Sequence, residues 1–264
     1  MSELPDSLRA ALAAFVKRPR ILIGADFDGT LAPFTTDPMQ SRAAPDALTS
    51  LYAAASLPGV TIALVSGRDL ETLRTLTSIP RTSPIVLVGS HGGQSGLEDV
   101  AGSATLGQVA AARLAAASAD LEEVAAAHPG TRIELKPGAV AIHTRGVDPT
   151  VAAAAMAAAM ALSARHTGVH VIPGKQVVEL SVSETDKGQA LRALANARSV
   201  DVTAYFGDDV TDERAFAALD PRSGDVRVKV GQGNTLAQHR LEAVDGVVTA
   251  LAFMVSMRRL AFGE

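Results

Sequence analysis

The chain of 264 residues has no cysteine. That excludes disulfides and thiolate metal sites, and it leaves the redox compartment undecided. It has no uninterrupted run of about 18 apolar residues, so no membrane span is expected. Val151 to Leu162 is too short, and Val247 to Leu260 is interrupted by Thr249, Ser256, Arg258 and Arg259. It has no basic field either: the formal net charge is −4, which argues against nucleic acid as a partner. There is no low-complexity tail and no block of like charge. The apolar piece Ala11 to Val16 is short and follows acidic rather than basic residues, so no secretory signal is expected. These absences lead to the expectation of a cytoplasmic protein. With 47% hydrophobic and 20% charged residues, the composition is that of an ordinary globular chain. The length suffices for one large domain or a domain carrying an insertion.

Ile21 to Pro33 organises the rest. The apolar run Ile21-Leu22-Ile23 suits a strand buried on both faces. It stops at Asp26 and Asp28, and Gly29 then lets the backbone turn sharply. Carboxylates at the end of a parallel strand stand where an open α/β sheet has its ligand crevice. One carboxylate can attack phosphorus. A second can protonate a leaving alcohol and later deprotonate water. Both can offer oxygens to Mg²⁺. Asp and Gly also serve as plain turn residues.

Apolar runs and helical spacings alternate from there. Ser7 to Lys17 reads as a helix, Pro45 to Ser56 as a helix, Thr61 to Val65 as a strand, Asp69 to Thr77 as a helix and Ile85 to Val88 as a strand. Such alternation predicts a parallel sheet. The pattern changes after Gly93. A helix over Ala104 to Ala127 leads to a hairpin of Arg132 to Leu135 and Ala139 to Arg145, turned at Lys136-Pro137-Gly138. A second helix, Thr150 to His166, leads to a second hairpin of Val169 to Ile172 and Gln176 to Ser181, turned at Pro173-Gly174. Two helix–hairpin units predict a small α/β domain with an antiparallel sheet over 94–180, inserted into a core of 1–93 and 181–264. Helices at Lys187 to Ala197, Thr211 to Leu219 and Val247 to Leu260 and strands at Val202 to Phe206 and Val226 to Val230 complete the core.

Three further stretches fall at strand ends or helix starts. Ser66-Gly67-Arg68 offers a hydroxyl and backbone N–H groups to a phosphate, although Ser66 would serve equally as an N-cap. Lys187 opens a helix after Ser183-Glu184-Thr185-Asp186, where the macrodipole disfavours a cation. An ammonium there can bind a phosphoryl group and a carboxylate together. Gly207-Asp208-Asp209-Val210-Thr211-Asp212-Glu213 crowds four acids together, which repel strongly without a cation. Asp208 is the expected direct ligand, with Asp209 and Asp212 binding directly or through water. A capping role for Thr211 or Asp209 is compatible with this.

Asp26-Phe27-Asp28-Gly29-Thr30, with those three stretches in the same order, resembles the haloacid dehalogenase-like (HAD) phosphohydrolases. The resemblance implies a HAD-type, Rossmann-like α/β core with an inserted α/β cap. It makes Asp26 the nucleophile, Asp28 the general acid/base, and Ser66, Gly67 and Lys187 the phosphate ligands. Mg²⁺ would be held by Asp26, the carbonyl of Asp28, Asp208 and the neighbouring acids. Further phrases narrow it to the trehalose-6-phosphate phosphatases: Leu31-Ala32-Pro33, Gly89-Ser90-His91-Gly92, Glu134-Leu135-Lys136-Pro137, His143-Thr144-Arg145, Pro173-Gly174-Lys175 and Glu179, and Phe216 after the acidic stretch. Glu134 and Lys136 share one strand face, as do His143 and Arg145. By the resemblance, Glu134, Lys136 and Glu179 hold sugar hydroxyls when the cap closes, and Arg68, Arg145 and Lys175 join the substrate site. His91 orders its loop. The expected partner is a small-molecule sugar phosphate met by a monomer, with neither nucleic acid nor membrane involved. Phosphatases of sucrose phosphate, a mannosyl-phosphoglycerate or a pseudo-disaccharide phosphate, a phosphotransferase or mutase, and a silent regulator stay open as alternatives. Asp26→Asn is expected to abolish turnover while leaving the fold intact. Unchanged phosphate release from the variant would rule out this nucleophile.

Overall fold

The computed structural model describes residues 3–96, 108–136, 138–182 and 185–263. In chain order, α1 (Asp6–Phe15) precedes β1 (Ile21–Ala25), followed by α2 (Pro45–Ala55), β2 (Val60–Val65), α3 (Leu70–Thr77), β3 (Ile85–Gly89) and a short β4 (Gln94–Ser95). Then come α4 (Gln108–Ala127), β5 (Arg132–Lys136), β6 (Ala139–His143), α5 (Pro149–Ala161), β7 (His170–Gly174) and β8 (Val177–Ser181). The last set is α6 (Lys187–Ala197), β9 (Val202–Gly207), α7 (Asp212–Ala218), β10 (Val226–Val230), β11 (His239–Leu241) and α8 (Val244–Phe262). Two compact units result, one of Met1–Ala101 and Asp186–Glu264, the other of Gly102–Thr185.

The larger unit holds a seven-stranded sheet in the order β11-β10-β9-β1-β2-β3-β4. Only β4 runs antiparallel to its neighbour. Every residue of β1 is buried, as a strand covered on both faces must be. Ile21, Ile23 and Ala25 pack with Leu8, Leu51 and Leu251 from α1, α2 and α8. Leu22 points the other way, into a cluster with Leu191, Leu194 and Phe216 from α6 and α7. The period-2 alternation of one strand thus builds two helical layers around the sheet. Because β1 lies between β2 and β9, the strand order reverses beside it, and its carboxyl end opens a crevice.

The smaller unit is a four-stranded antiparallel sheet, β5-β6-β8-β7. Val140, Ile142, Val178 and Leu180 pack against Ala117 and Leu121 of α4 and Ala155 and Ala159 of α5. The helices carry mostly alanine on this face, which lets them lie close to the sheet.

Several details differ from expectation. Gln94, placed by periodicity at the start of the insertion, belongs to the large sheet as β4. Strand β11 has three residues, two of them polar, and so no readable period. The helix expected to reach His166 ends at Ala161 and finishes as a 3-10 turn over Leu162–Ala164. β6 stops at His143, and Arg145 lies in the following turn beside Gly146, whose φ is +79°. β7 continues through Pro173–Gly174 and reverses at Lys175 and Gln176, with Gln176 at φ +60°. Proline is tolerated there because β7 is an edge strand, where a missing N–H deprives no outer neighbour. The expected helical residues 104–107, Pro137 of the expected turn, and Ser183 and Glu184 lie outside the described residues.

At the opposite end of the large sheet, Arg258 of α8 is almost fully buried. Its guanidinium donates to the carbonyls of Val16 at 2.7 Å and Pro19 at 2.8 Å, and also to those of Arg18 and Pro58. One side chain thereby ties the loop before β1, the loop before β2 and the last helix. Its Cζ also lies 3.9 Å from the centroid of Phe262. The Val16 contact is buried and the other three are part-buried, and a stranded buried acceptor costs roughly 1–3 kcal/mol, so Arg258→Met should destabilise this unit by about 1–3 kcal/mol. Denaturant unfolding at unchanged m-value measures this. A midpoint equal to wild type would mean that the four carbonyls do not depend on the guanidinium.

Candidate active site

The end of β1 delivers Asp26, 6% exposed, and the end of β9 delivers Asp208, 5% exposed. Asp212, the first residue of α7, is fully buried beside them. Oxygens of these three carboxylates all lie within 4.8 Å of one another. Glycines make the convergence possible. A Cβ on Gly29, whose φ is +79°, would overlap the Asp208 carboxylate, and one on Gly207 would overlap the side chain of Asp212. Only glycine admits both the left-handed turn and the approach of the second strand's acid.

Lys187, at the first turn of α6, is the counter-charge. Its Nζ lies 3.0 Å from Asp26 Oδ2 and 2.8 Å from Asp212 Oδ1. Tyr205 Oη donates to the same Asp212 oxygen at 2.8 Å, and the N–H of Asp209 donates to Oδ2 at 2.9 Å. Burial pushes the Asp26 carboxyl well above the usual carboxylate range. Lys187 opposes that rise, while Asp212 and Asp208 add to it. Burial pulls the Lys187 ammonium down, but Asp212 and Asp26 together more than reverse this and hold it above the ordinary lysine value. The Tyr205 hydroxyl is pushed well up by burial and then by Asp212 and Asp26, so it stays a protonated donor. The helix-start lysine that the macrodipole disfavours is thus held by two carboxylates.

Asp28 faces a different set. Arg68 grips it with Nε to Oδ2 at 2.6 Å and Nη2 to Oδ1 at 2.8 Å, and the Ser41 hydroxyl donates to Oδ1 at 3.0 Å. Arg68, expected against the substrate, makes a two-pronged contact with this carboxylate. Ser66 does not cap the helix that follows it. The cap is Asp69, whose Oδ1 accepts from the N–H groups of Glu71 and Thr72. Ser66 Oγ instead accepts from Arg68 N–H at 3.1 Å. Gly67 lies against the His91 ring, where a Cβ would come within 2.5 Å of Cε1. His91 donates its backbone N–H to the Ser66 carbonyl at 2.9 Å. Ser90 and His91 both have positive φ, at 50° and 55°, and a Cβ on Gly92 would sit 2.7 Å from the Asp186 carbonyl. The loop after β3 therefore buttresses both the Ser66 turn and the start of α6.

The expected capping by Thr211 is not seen: Thr211 makes no side-chain cap bond. Asp209 accepts from Val210 N–H at 2.7 Å and lies outside the group of three close carboxylates. Both Asp212 oxygens are already engaged by Lys187, Tyr205 and Asp209. Asp26 is engaged in the same way, its Oδ1 accepting from Phe27 N–H at 2.7 Å and its Oδ2 facing Lys187, so the three carboxylates together form the group that could hold a cation. An all-oxygen donor set fits a hard divalent ion such as Mg²⁺.

In the smaller unit, Glu134, Lys136 and Glu179 sit on the sheet face away from its helices. Lys136 Nζ lies 2.6 Å from Glu179 Oε2 and 3.9 Å from Glu134 Oε2, and His143 Nε2 lies 2.7 Å from that Glu134 oxygen. Glu179 is buried, and the Lys136 side chain is 10% exposed. This row of alternating charge is therefore not a simple solvated surface. Arg145 and Lys175 lie in turns beyond the strands, not on the shared face.

Sequence reasoning missed Tyr205, Ser41 and Lys229. Tyr205 and Ser41 have no local signature. Lys229 had one, a lysine within the apolar strand Val226–Val230, and it is buried with Nζ donating to the Asp208 carbonyl at 2.6 Å.

Residues 24–244 match the family model of the trehalose-phosphatases. A bifunctional trehalose-6-phosphate synthase/phosphatase of Thermoproteus tenax is 33% identical over 241 residues, covering 90% of this chain and 32% of that protein. A trehalose-phosphate phosphatase of Mycobacterium ulcerans is 32% identical over 264 residues, covering 96% of this chain and 65% of that protein. The chain thus spans about a third of the first relative's length and just under two thirds of the second's. The C-terminal domain of C. albicans trehalose-6-phosphate phosphatase superposes with a TM-score of 0.82 at 23% identity, covering 97% of this chain and 99% of that one. At that identity the likeness concerns the fold.

Lys187→Met removes the counter-charge of two buried carboxylates. It should destabilise the larger unit by about 3–5 kcal/mol, the usual cost of breaking a buried ion pair from one side. Equal unfolding midpoints for variant and wild type would show that the ammonium does not hold the carboxylates together.

Proposed function

This chain belongs to the trehalose-phosphatase family, and from that premise we propose that it hydrolyses trehalose 6-phosphate to trehalose and inorganic phosphate with Mg²⁺ as cofactor. The observation that carries the reading is the meeting of Asp26, Asp208 and Asp212 around Lys187 at the carboxyl edge of the sheet. Three stretches far apart in sequence supply, in this reading, one nucleophile, one ammonium and an oxygen-only cation site.

In this reading, an Asp26 oxygen attacks phosphorus in line, and the bond from phosphorus to the sugar oxygen breaks. Asp28 gives a proton to the departing oxygen, then takes one from the water that cleaves the aspartyl-phosphate, regenerating Asp26. To do so it exchanges its Arg68 partners for the sugar oxygen. Ser66, the Gly67 backbone and Lys187 hold the phosphoryl oxygens. Asp212 contributes by orienting Lys187. A magnesium ion held by Asp26, Asp208 and the Asp28 carbonyl supplies positive charge against the phosphoryl group. Asp209 completes that set through water.

For the sugar we propose Glu134, Lys136 and Glu179, joined by Arg145 and Lys175. The support is the family resemblance together with the charged row itself. Its carboxylates and ammonium match hydroxyls, which both donate and accept. Phosphate release from trehalose 6-phosphate, sucrose phosphate and a mannosyl-phosphoglycerate, each with Mg²⁺ and with a chelator, tests the proposal. Trehalose 6-phosphate should lead by at least about tenfold in kcat/KM, or about 1.4 kcal/mol of transition-state preference. Chelation should stop release, and added Mg²⁺ should restore it. Equal rates on all three esters would overturn the substrate assignment. Undiminished rates under chelation would overturn the metal.

A further inference from the structure

Lys229 lies on β10, between Val228 and Val230, and is 4% exposed. Lysine is rarely buried this far unless a specific partner holds it. Its Nζ donates to the backbone carbonyl of Asp208 at 2.6 Å, and the nearest described carboxylate oxygen is Glu213 Oε1 at 3.9 Å. Glu213 is itself anchored, its Oε2 accepting from Leu236 N–H at 2.8 Å. The N–H of the same peptide group completes the arrangement, because Asp209 N–H donates to Asp212 Oδ2 at 2.9 Å. The peptide unit joining Asp208 to Asp209 is therefore pinned at both polar atoms, its oxygen by Lys229 and its N–H by Asp212. That fixes ψ of Asp208 and φ of Asp209, and so the direction in which the Asp208 carboxylate leaves the end of β9.

We propose that Lys229 is a positioning residue for the cation site, presetting Asp208 toward Asp26 so that a divalent ion meets its ligands already aimed. The inference rests on the metal reading given above. The Lys229 ammonium reaches the main chain of Asp208 rather than its carboxylate. It acts through the Asp208 carbonyl, with Glu213 offsetting its charge. The acidic loop is thus braced from two sides by two buried lysines, Lys187 through the Asp212 side chain and Lys229 through the main chain. Outer partners of this kind commonly set how tightly an ion is held.

The test compares wild type with Lys229→Met, which removes the donor, and Lys229→Gln, which keeps an uncharged N–H donor. Glu213→Gln serves as a second route to the same carbonyl bond should Lys229→Met fail to fold. Mg²⁺ binding is titrated by calorimetry and by the Mg²⁺-dependent rise in melting temperature, neither of which needs turnover. KM for trehalose 6-phosphate is measured at saturating Mg²⁺. Lys229→Met should weaken Mg²⁺ binding about 10–100-fold, the range seen when an outer-shell partner is lost, with KM for the ester unchanged. Lys229→Gln should fall between the two. A variant that melts lower but shows the wild-type Mg²⁺ midpoint would overturn the positioning role and leave the metal reading standing. No Mg²⁺ response in wild type would overturn both.

Discussion

A buried ammonium between two buried carboxylates sets the terms for the larger unit. Without Lys187, Asp26, Asp208 and Asp212 would be three buried acids within a few ångströms, two of them without their ammonium partner. With it, the charge is only partly answered, which is the condition a divalent cation can exploit. The lysine stands at the start of a helix whose dipole repels it, so the helix start is stable only because the acids are there. Acids and lysine are each misplaced alone and well placed together.

That mutual dependence explains where backbone freedom appears. Gly29 and Gly207 stand where any Cβ would intrude on an acidic side chain from another element. The strain of Ser90 and His91 lies in the loop that holds the Ser66 turn and the entry to α6. Elsewhere the sheet is regular, with parallel registers on both sides of β1 and its side chains alternating between the two helical layers.

Much of this was readable from residues alone, and the reasons are local. Ile21 to Ala25 and Val202 to Phe206 are apolar runs that end in acids, so both their burial and their chemistry are written in sequence. Asp69 took the cap that Ser66 could equally have filled, because geometry rather than residue type decides which oxygen meets the helix N–H groups. Arg68 illustrates a different limit. The resemblance gives it to the substrate site, and its guanidinium reaches Asp28, a partner forty residues away that no spacing rule supplies. Alternation in the sequence continues through Arg145, but the ladder ends at His143 and Arg145 falls in the turn with Gly146. Tyr205 sits in a strand that reads as uniformly apolar, and its hydroxyl role emerges only once α7 brings Asp212 over it.

The central position of β1 also bears on how the chain comes into being. One flank of β1 pairs with β2, which leaves the ribosome soon afterwards. The other pairs with β9, whose residues emerge only after the whole inserted unit has been made. Throughout that interval the nascent polypeptide carries a strand with one unpaired, strongly apolar edge. The inserted unit pairs only within itself, so translation can deliver it folded while the surrounding sheet still waits for its second half.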